Sequence, residues 1–149
     1  MIGRKVSLKM HMSASDAHYA GELVEGAHIV TVWGDVGTEL AIRLFGDESL
    51  FLGYSNVRYT APVYAGDFME YTGEIIEAGK SHLTCKFEAY KYLEDARDPE
   101  CELSAANVLK EPVLCAEGTG TLVVKQPLQR FDYADPEFVA DYKKAMAEK

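Results

Sequence analysis

Positive charge is in short supply in this 149-residue chain. Fifteen Lys and Arg stand against 24 Asp and Glu, a net charge of −9. That sign disfavours a partner with a phosphate backbone, so no nucleic-acid ligand is expected. A small anion is still compatible with the chain, because Arg58, Lys80, Lys86 and Lys91 supply positive charge locally. Long hydrophobic runs are missing as well. No segment is apolar for long enough to span a bilayer, and the opening MIGRKVSLKMHMS has no signal-peptide core, so a cytoplasmic protein without a membrane partner is expected. Cysteine is scarce, with Cys85, Cys101 and Cys115 odd in number and widely spaced. That argues against a disulfide framework and for three small buried hydrophobes. Metal spacing is lacking: the four histidines, His11, His18, His28 and His82, are scattered, and neither C-x-x-C nor H-x-x-x-H occurs. No metal and no cofactor are expected. Internal repeats, low-complexity tracts and linkers are absent too, which leaves one domain with a single sizeable core.

What is present is a strand, a long apolar helix and a series of strands. Residues 4–12 alternate, with Val6, Leu8 and Met10 on one face. The loop SASDAHYAG follows, with Ser15 and Asp16 as helix-capping groups. A helix is predicted from Leu23 to Leu44, with one apolar stripe through Leu23, Ala27, Val30, Gly37, Ala41 and Leu44 and another through Ile29, Trp33, Val36 and Leu40. Apolar over most of its circumference, it should be wrapped by other structure. Four strands follow, in SLFLGYSNVRYTAP, FMEYTGEIIEAG, HLTCKFEAYKYLE and PVLCAEGTGTLVVK. Between the last two, residues 95–111 read as an irregular excursion with a short helix around SAANVL. The close of the chain is predicted to be a helix capped by Asp135 with Pro136 at its first position. One helix and one largely antiparallel sheet make an α+β fold in which the sheet curls around the helix. A sheet edge left open in this way is completed by a second copy.

The helix carries two carboxylates, Asp35 and Glu39, spaced i, i+4 on one face and set among Gly34 and Gly37. In an apolar setting their acidities would perturb one another, so that one could serve as a base while the other holds a cation. The competing reading is a solvated face with Glu39 paired to Arg43. The glycines remove bulk around Asp35. Gly21 and Gly26 flank the helix start, where free N–H groups and the positive end of the dipole favour an oxyanion, with tight chain packing as the alternative. His28 reads as packing or capping, and GTG at 118–120 as close strand packing.

The strand order, the G-x-L-V-x-G-A opening of the helix and the bend APVYAGD resemble the hotdog fold of acyl-CoA thioesterases and hydratases. The segments DAHYAGELVEGA, WGDVGTEL, SLFLGY, TAPVYAGDFMEY, TCKFEAYK and EPVLCAEGTGTL more specifically resemble the aminoacyl-CoA ammonia-lyases of amino-acid fermentation. The resemblance spans residues 5–125. It implies a curved antiparallel sheet around one long central helix, with residues 1–125 as the hotdog acyl-CoA domain and 126–149 as a helical extension packed on or near it. It further implies reversible loss of ammonia from β-alanyl-CoA or 3-aminobutyryl-CoA, giving acryloyl-CoA or crotonyl-CoA. CoA would enter as part of the substrate, and the site would lie at the interface of a homodimer or higher homo-oligomer.

Such an elimination needs a base for the α-proton, donors for charge growing on the thioester oxygen, and an acidic group for the departing amine. Asp35 and Glu39 are the candidates for base and amine site. Asp16, His18 and Tyr19 occupy the loop entering the helix, where hotdog enzymes place an active-site Asp, Asn or His. His18 would shuttle a proton or donate to the carbonyl, and Asp16 is either catalytic or a cap. Gly21 and Gly26 would sit at the oxyanion end, and Tyr64, beside the bend, would line the acyl pocket. An acyl-CoA thioesterase, and a non-catalytic acyl-CoA-binding module, are the alternatives. Carboxylates buried in an apolar helix would weigh against the module, because burying unused charge is costly.

Overall fold

The computed structural model describes residues 3–149. Among these residues seven strands are formed: β1 (Lys5–His11), β2 (Ala17–Tyr19), β3 (Leu23–Val24), β4 (Leu50–Tyr59), β5 (Phe68–Ala78), β6 (His82–Asp95) and β7 (Ala106–Val123). Two helices join them, α1 (Gly26–Phe45) and α2 (Pro136–Ala147). Five strands make one antiparallel sheet in the order β1-β5-β6-β7-β4, while β2 and β3 form a separate hairpin. No helix is long and apolar enough to cross a membrane among the described residues.

Strand alternation decides what α1 packs on. Along β6, Leu83, Cys85, Phe87 and Ala89 are buried on the inner face, while Lys86 on the other face is exposed. Opposite them, Ile29, Val32, Trp33, Val36, Leu40, Ala41 and Leu44 of α1 are buried. The Trp33 indole lies 5.7 Å from the Phe87 ring, and its Nε1 donates to Glu88 O at 3.0 Å. The sheet makes room with glycine. A Cβ on Gly73 would stand 2.7 Å from Val36 Cγ1, and one on Gly118 2.9 Å from the Asn56 carbonyl oxygen. The GTG stretch is therefore close packing, as expected.

Three sequence expectations are corrected. Helix α1 begins at Gly26, not Leu23, because Val24 N donates to Val63 O at 2.8 Å and so joins residues 23–24 to the bend. Nor is the helix wrapped all round. Ala27, Thr31, Asp35, Ile42 and Arg43 are exposed, because one sheet covers only one side. Residues 106–111 are not helical: Leu93 pairs with Val108 and Asp95 with Ala106, extending β6 and β7 as a long hairpin arm.

The chain beyond residue 125 closes the far end of α1. Gly46, in the left-handed region at φ 66°, ends the helix, and its N–H reaches Ile42 O at 2.9 Å. Arg130 N donates to Phe45 O at 2.7 Å, and the Phe131 and Tyr142 rings pack on Phe45 at 5.9 and 5.5 Å. Asp135 caps α2 as predicted, its carboxylate accepting from Glu137 N at 3.0 Å.

Candidate active site

The opposite, N-terminal end of α1 opens into a cleft of about 390 Å³. It is lined by Tyr19, Leu23, Val24, Gly26 and Ile29 on one side and by Tyr59, Thr60, Ala61, Pro62 and Val63 on the other. Its walls are mostly apolar. Glu25, at the cap position, makes no side-chain bond to the first turn, so the helix presents its own N–H groups and positive dipole end here. Gly26 forms the floor under the Tyr59 ring, and any Cβ there would collide with that ring. Gly26 is thus where the sequence pattern placed it.

Gly21 is not. It lies in the exposed turn between β2 and β3 at φ 80°, followed by Glu22 at φ 64°, so its freedom serves the turn and not the helix start. Tyr19 reaches the cleft, although 54% exposed. Tyr64 is not among the lining residues; it lies beneath the Arg97 guanidinium, 4.0 Å from the ring centroid. Tyr59, which the sequence assigns to a strand, is the second tyrosine of the cleft, beside Tyr19.

In the entry loop, Asp16 accepts from Ser13 N at 2.8 Å and Ser13 Oγ at 3.1 Å, closing a capping box in which Ser13 is the N-cap of a short turn over Ala14–Asp16 and Asp16 its third residue. Its other oxygen stands 3.9 Å from His28 Nδ1. His28 Nε2 is buried without a partner among the described residues. His18 is largely exposed, 3.8 Å from Glu25 at the helix cap.

The two helix carboxylates are not in an apolar setting, which corrects that expectation. Asp35 is exposed on the open face of α1, with nothing within 4 Å of where a Gly34 side chain would be. Glu39 is held by Arg43 Nε at 2.8 Å, and Arg43 also holds Asp135 at 2.9 Å. Those bonds, the one to Glu39 foremost, raise the Arg43 pKa further. Asp35 stands nine residues from Gly26, about 13.5 Å along the axis of an α-helix. Within one copy of the chain, the carboxylates and the cleft are therefore apart. Gly37 faces the core, where a Cβ would sit 3.1 Å from the Phe51 ring.

Lys91 is not available to anions. It is buried on the inner face of β6, its Nζ 3.0 Å from Asp67 Oδ2 and 2.9 Å from Pro62 O. The signal for it was in the sequence: Lys91 is in phase with Leu83, Cys85, Phe87 and Ala89, where an apolar residue belongs. Cys85 and Cys115 are buried, and burial pushes the Cys85 thiol up to about 12, so neither is poised as a nucleophile. Cys101 is exposed, against expectation, because it lies at the tip of the β6–β7 arm. No group of three His, Cys, Asp or Glu side chains suited to a metal occurs among the described residues.

No protein-family model matches the chain. A 3-aminobutyryl-CoA ammonia lyase of Acetoanaerobium sticklandii is 44% identical to it over 126 residues, 85% of this chain and 98% of that protein. The β-alanyl-CoA:ammonia lyase of Clostridium propionicum superposes with a TM-score of 0.88 at 47% identity, covering 95% of this chain and 98% of that one. The fold alone is shared with a hexameric hotdog-fold thioesterase of Campylobacter jejuni, at TM-score 0.65 and 15% identity over 83% of this chain and 85% of that one. An α1 backed by one antiparallel sheet, an apolar cleft at its free N-terminus and this extent of identity agree: the chain belongs to the hotdog-fold aminoacyl-CoA ammonia-lyase family, whose members are carbon–nitrogen lyases.

Proposed function

We propose that this protein eliminates ammonia reversibly from a short β-aminoacyl-CoA, with β-alanyl-CoA and 3-aminobutyryl-CoA as the candidate substrates. The observation that carries the reading is the cleft at the uncapped end of α1, whose apolar walls lead to free backbone N–H groups. The thioester carbonyl would point at those groups, which stabilise the enolate oxygen as the α-proton leaves. Gly26 lets the Tyr59 ring pack down on the first turn, with Tyr19 also lining the cleft; Gly21 would act only through the turn that carries Tyr19, and Tyr64 only from behind the wall.

The reacting carboxylate comes from a second copy. Asp35 lies too far from the cleft of its own chain, yet it stands on an open helix face beside the bare backbone of Gly34. Strand β4 is a sheet edge with Leu50 69% and Leu52 68% exposed. Two copies joined along these surfaces would carry the partner's α1 to the cleft, placing the site at the interface of a homodimer or a larger homo-oligomer. Asp35 is assigned the α-proton. Glu39, on the same face and oriented by Arg43, is assigned the attraction of the ammonium. His18, beside Glu25 at the helix cap, and Asp16, beside His28, are assigned the proton relay. A thioesterase would use the same cleft but needs no second carboxylate for an amine. No cofactor enters these steps, and CoA is part of the substrate. The cytoplasm is the assigned compartment, a reducing setting that suits the free thiols of Cys85, Cys101 and Cys115.

The test is the absorbance of the enoyl thioester on mixing protein with acryloyl-CoA or crotonyl-CoA and ammonium. The band should fall only when ammonium is present, with an aminoacyl-CoA product by mass. Asp35→Asn should lower turnover about 10²–10⁴-fold, the usual worth of a positioned base. Free thiol released independently of ammonium would instead establish the thioesterase.

A further inference from the structure

The outer wall of the cleft, residues 59–63, is a strap leading from β4 into the bend before β5, and its inner anchor is a buried ion pair. Asp67 is completely buried and Lys91 is 7% exposed. Lys91 Nζ lies 3.0 Å from Asp67 Oδ2 and donates to Pro62 O at 2.9 Å, while the same Asp67 oxygen accepts from Tyr64 N at 2.8 Å. Asp67 Oδ1 is buried with no partner among the described residues. A pair this buried is a poor source of stability, since desolvating two charges offsets most of their attraction, and one carboxylate oxygen here is not even satisfied. What the pair does do is fix the main chain of the strap from behind, at Pro62 and Tyr64, on either side of the lining residue Val63.

We infer that Asp67 and Lys91 are positioning residues that hold the 59–63 wall at a set distance from Gly26 and Ile29, and so set the size of acyl group the cleft accepts. The inference rests on the cleft being the acyl site. Displacement of a wall by about 1 Å is enough to change reaction geometry severely. It also changes discrimination for a single methyl, the only difference between the acryloyl and crotonyl groups. The alternative, a purely structural pair, predicts a loss of folded protein that reduces every rate in the same proportion.

The experiment compares the parent with the double variant Asp67→Asn, Lys91→Met, which removes both charges and the donor to Pro62 while keeping side-chain volume. Amination of acryloyl-CoA and of crotonyl-CoA is measured, and the quantity read is the ratio of the two kcat/KM values, which is independent of the active fraction. The ratio should move threefold or more toward the larger crotonyl group. A second variant, Asp67→Asn with Lys91→Gln, retains a shorter donor; it should move the ratio in the same direction by less, and decides the matter should the first not fold. An unchanged ratio in a folded variant, or rates that fall in equal proportion, overturns the inference and leaves the lyase reading intact. If the parent shows no ammonium-dependent turnover with either thioester, the lyase reading itself fails, and this inference with it.

Discussion

Burial separates the three cysteines and the nine tyrosines into groups with different chemistry. Cys85 and Cys115 are sealed in the core with raised thiol pKa values, Cys85 at about 12, whereas Cys101 is open to solvent. A thiol reagent at neutral pH should therefore modify one cysteine in the native protein and all three after denaturation, as counted by mass spectrometry. Tyr54 is pushed to about 12 by burial, and Tyr90 to about 12 chiefly by its hydrogen bond to Glu88, from an ordinary value of 10.0. The folded state holds these protons more tightly than the unfolded chain. Their contribution is fully present below pH 10 and is lost as the pH rises toward 12. Thermal unfolding should show no tyrosine-linked loss from neutral pH to about 10, then a falling Tm with a rising phenolate absorbance above it. Residue type alone could not sort these groups: each cysteine and tyrosine is ambiguous until its neighbours are known. The exception is Lys91, whose place in an apolar alternation is itself the mark of a buried cation.

At the scale of elements, hydrophobic period and capping chemistry were legible. Strands β1 and β6 fall where alternation puts them, β4 and β5 fall in the β-rich segments between turns, and α2 starts at Pro136 under its Asp135 cap. Asp135→Ala removes that cap and one partner of Arg43, and should cost about 1 kcal/mol in denaturant unfolding, with little change in the cooperativity of the transition. The misreadings share a cause, which is that tertiary hydrogen bonds override local preference. Leu23 and Val24 have the helix's apolar pattern, but Val63 O draws the Val24 N–H into the bend. SAANVL has helix-forming alanines, but its second half continues a ladder whose register was set further down β6.

On the scale of the whole molecule, one sheet can cover only one side of α1, so the opposite side waits for another surface. If that surface is a second copy joined along β4, Leu52→Lys should shift the mass measured by light scattering toward the monomer. Enoyl-thioester amination should fall with it, because Asp35 then no longer meets the neighbouring cleft. The sequence by itself determined the α+β class, the central helix, the capped final helix and, through long stretches of family-like residues, the chemistry of an ammonia lyase. These follow from local period, caps and residue identity, which are properties of short segments. Only the tertiary structure decided that Tyr59 and not Tyr64 lines the cleft, that Gly21 serves a turn, that Asp35 is open to solvent and that Lys91 anchors a wall. Each of those depends on which segments, distant along the chain, come within a few ångströms of one another. Packing of a whole core fixes that, and no window of the sequence contains it.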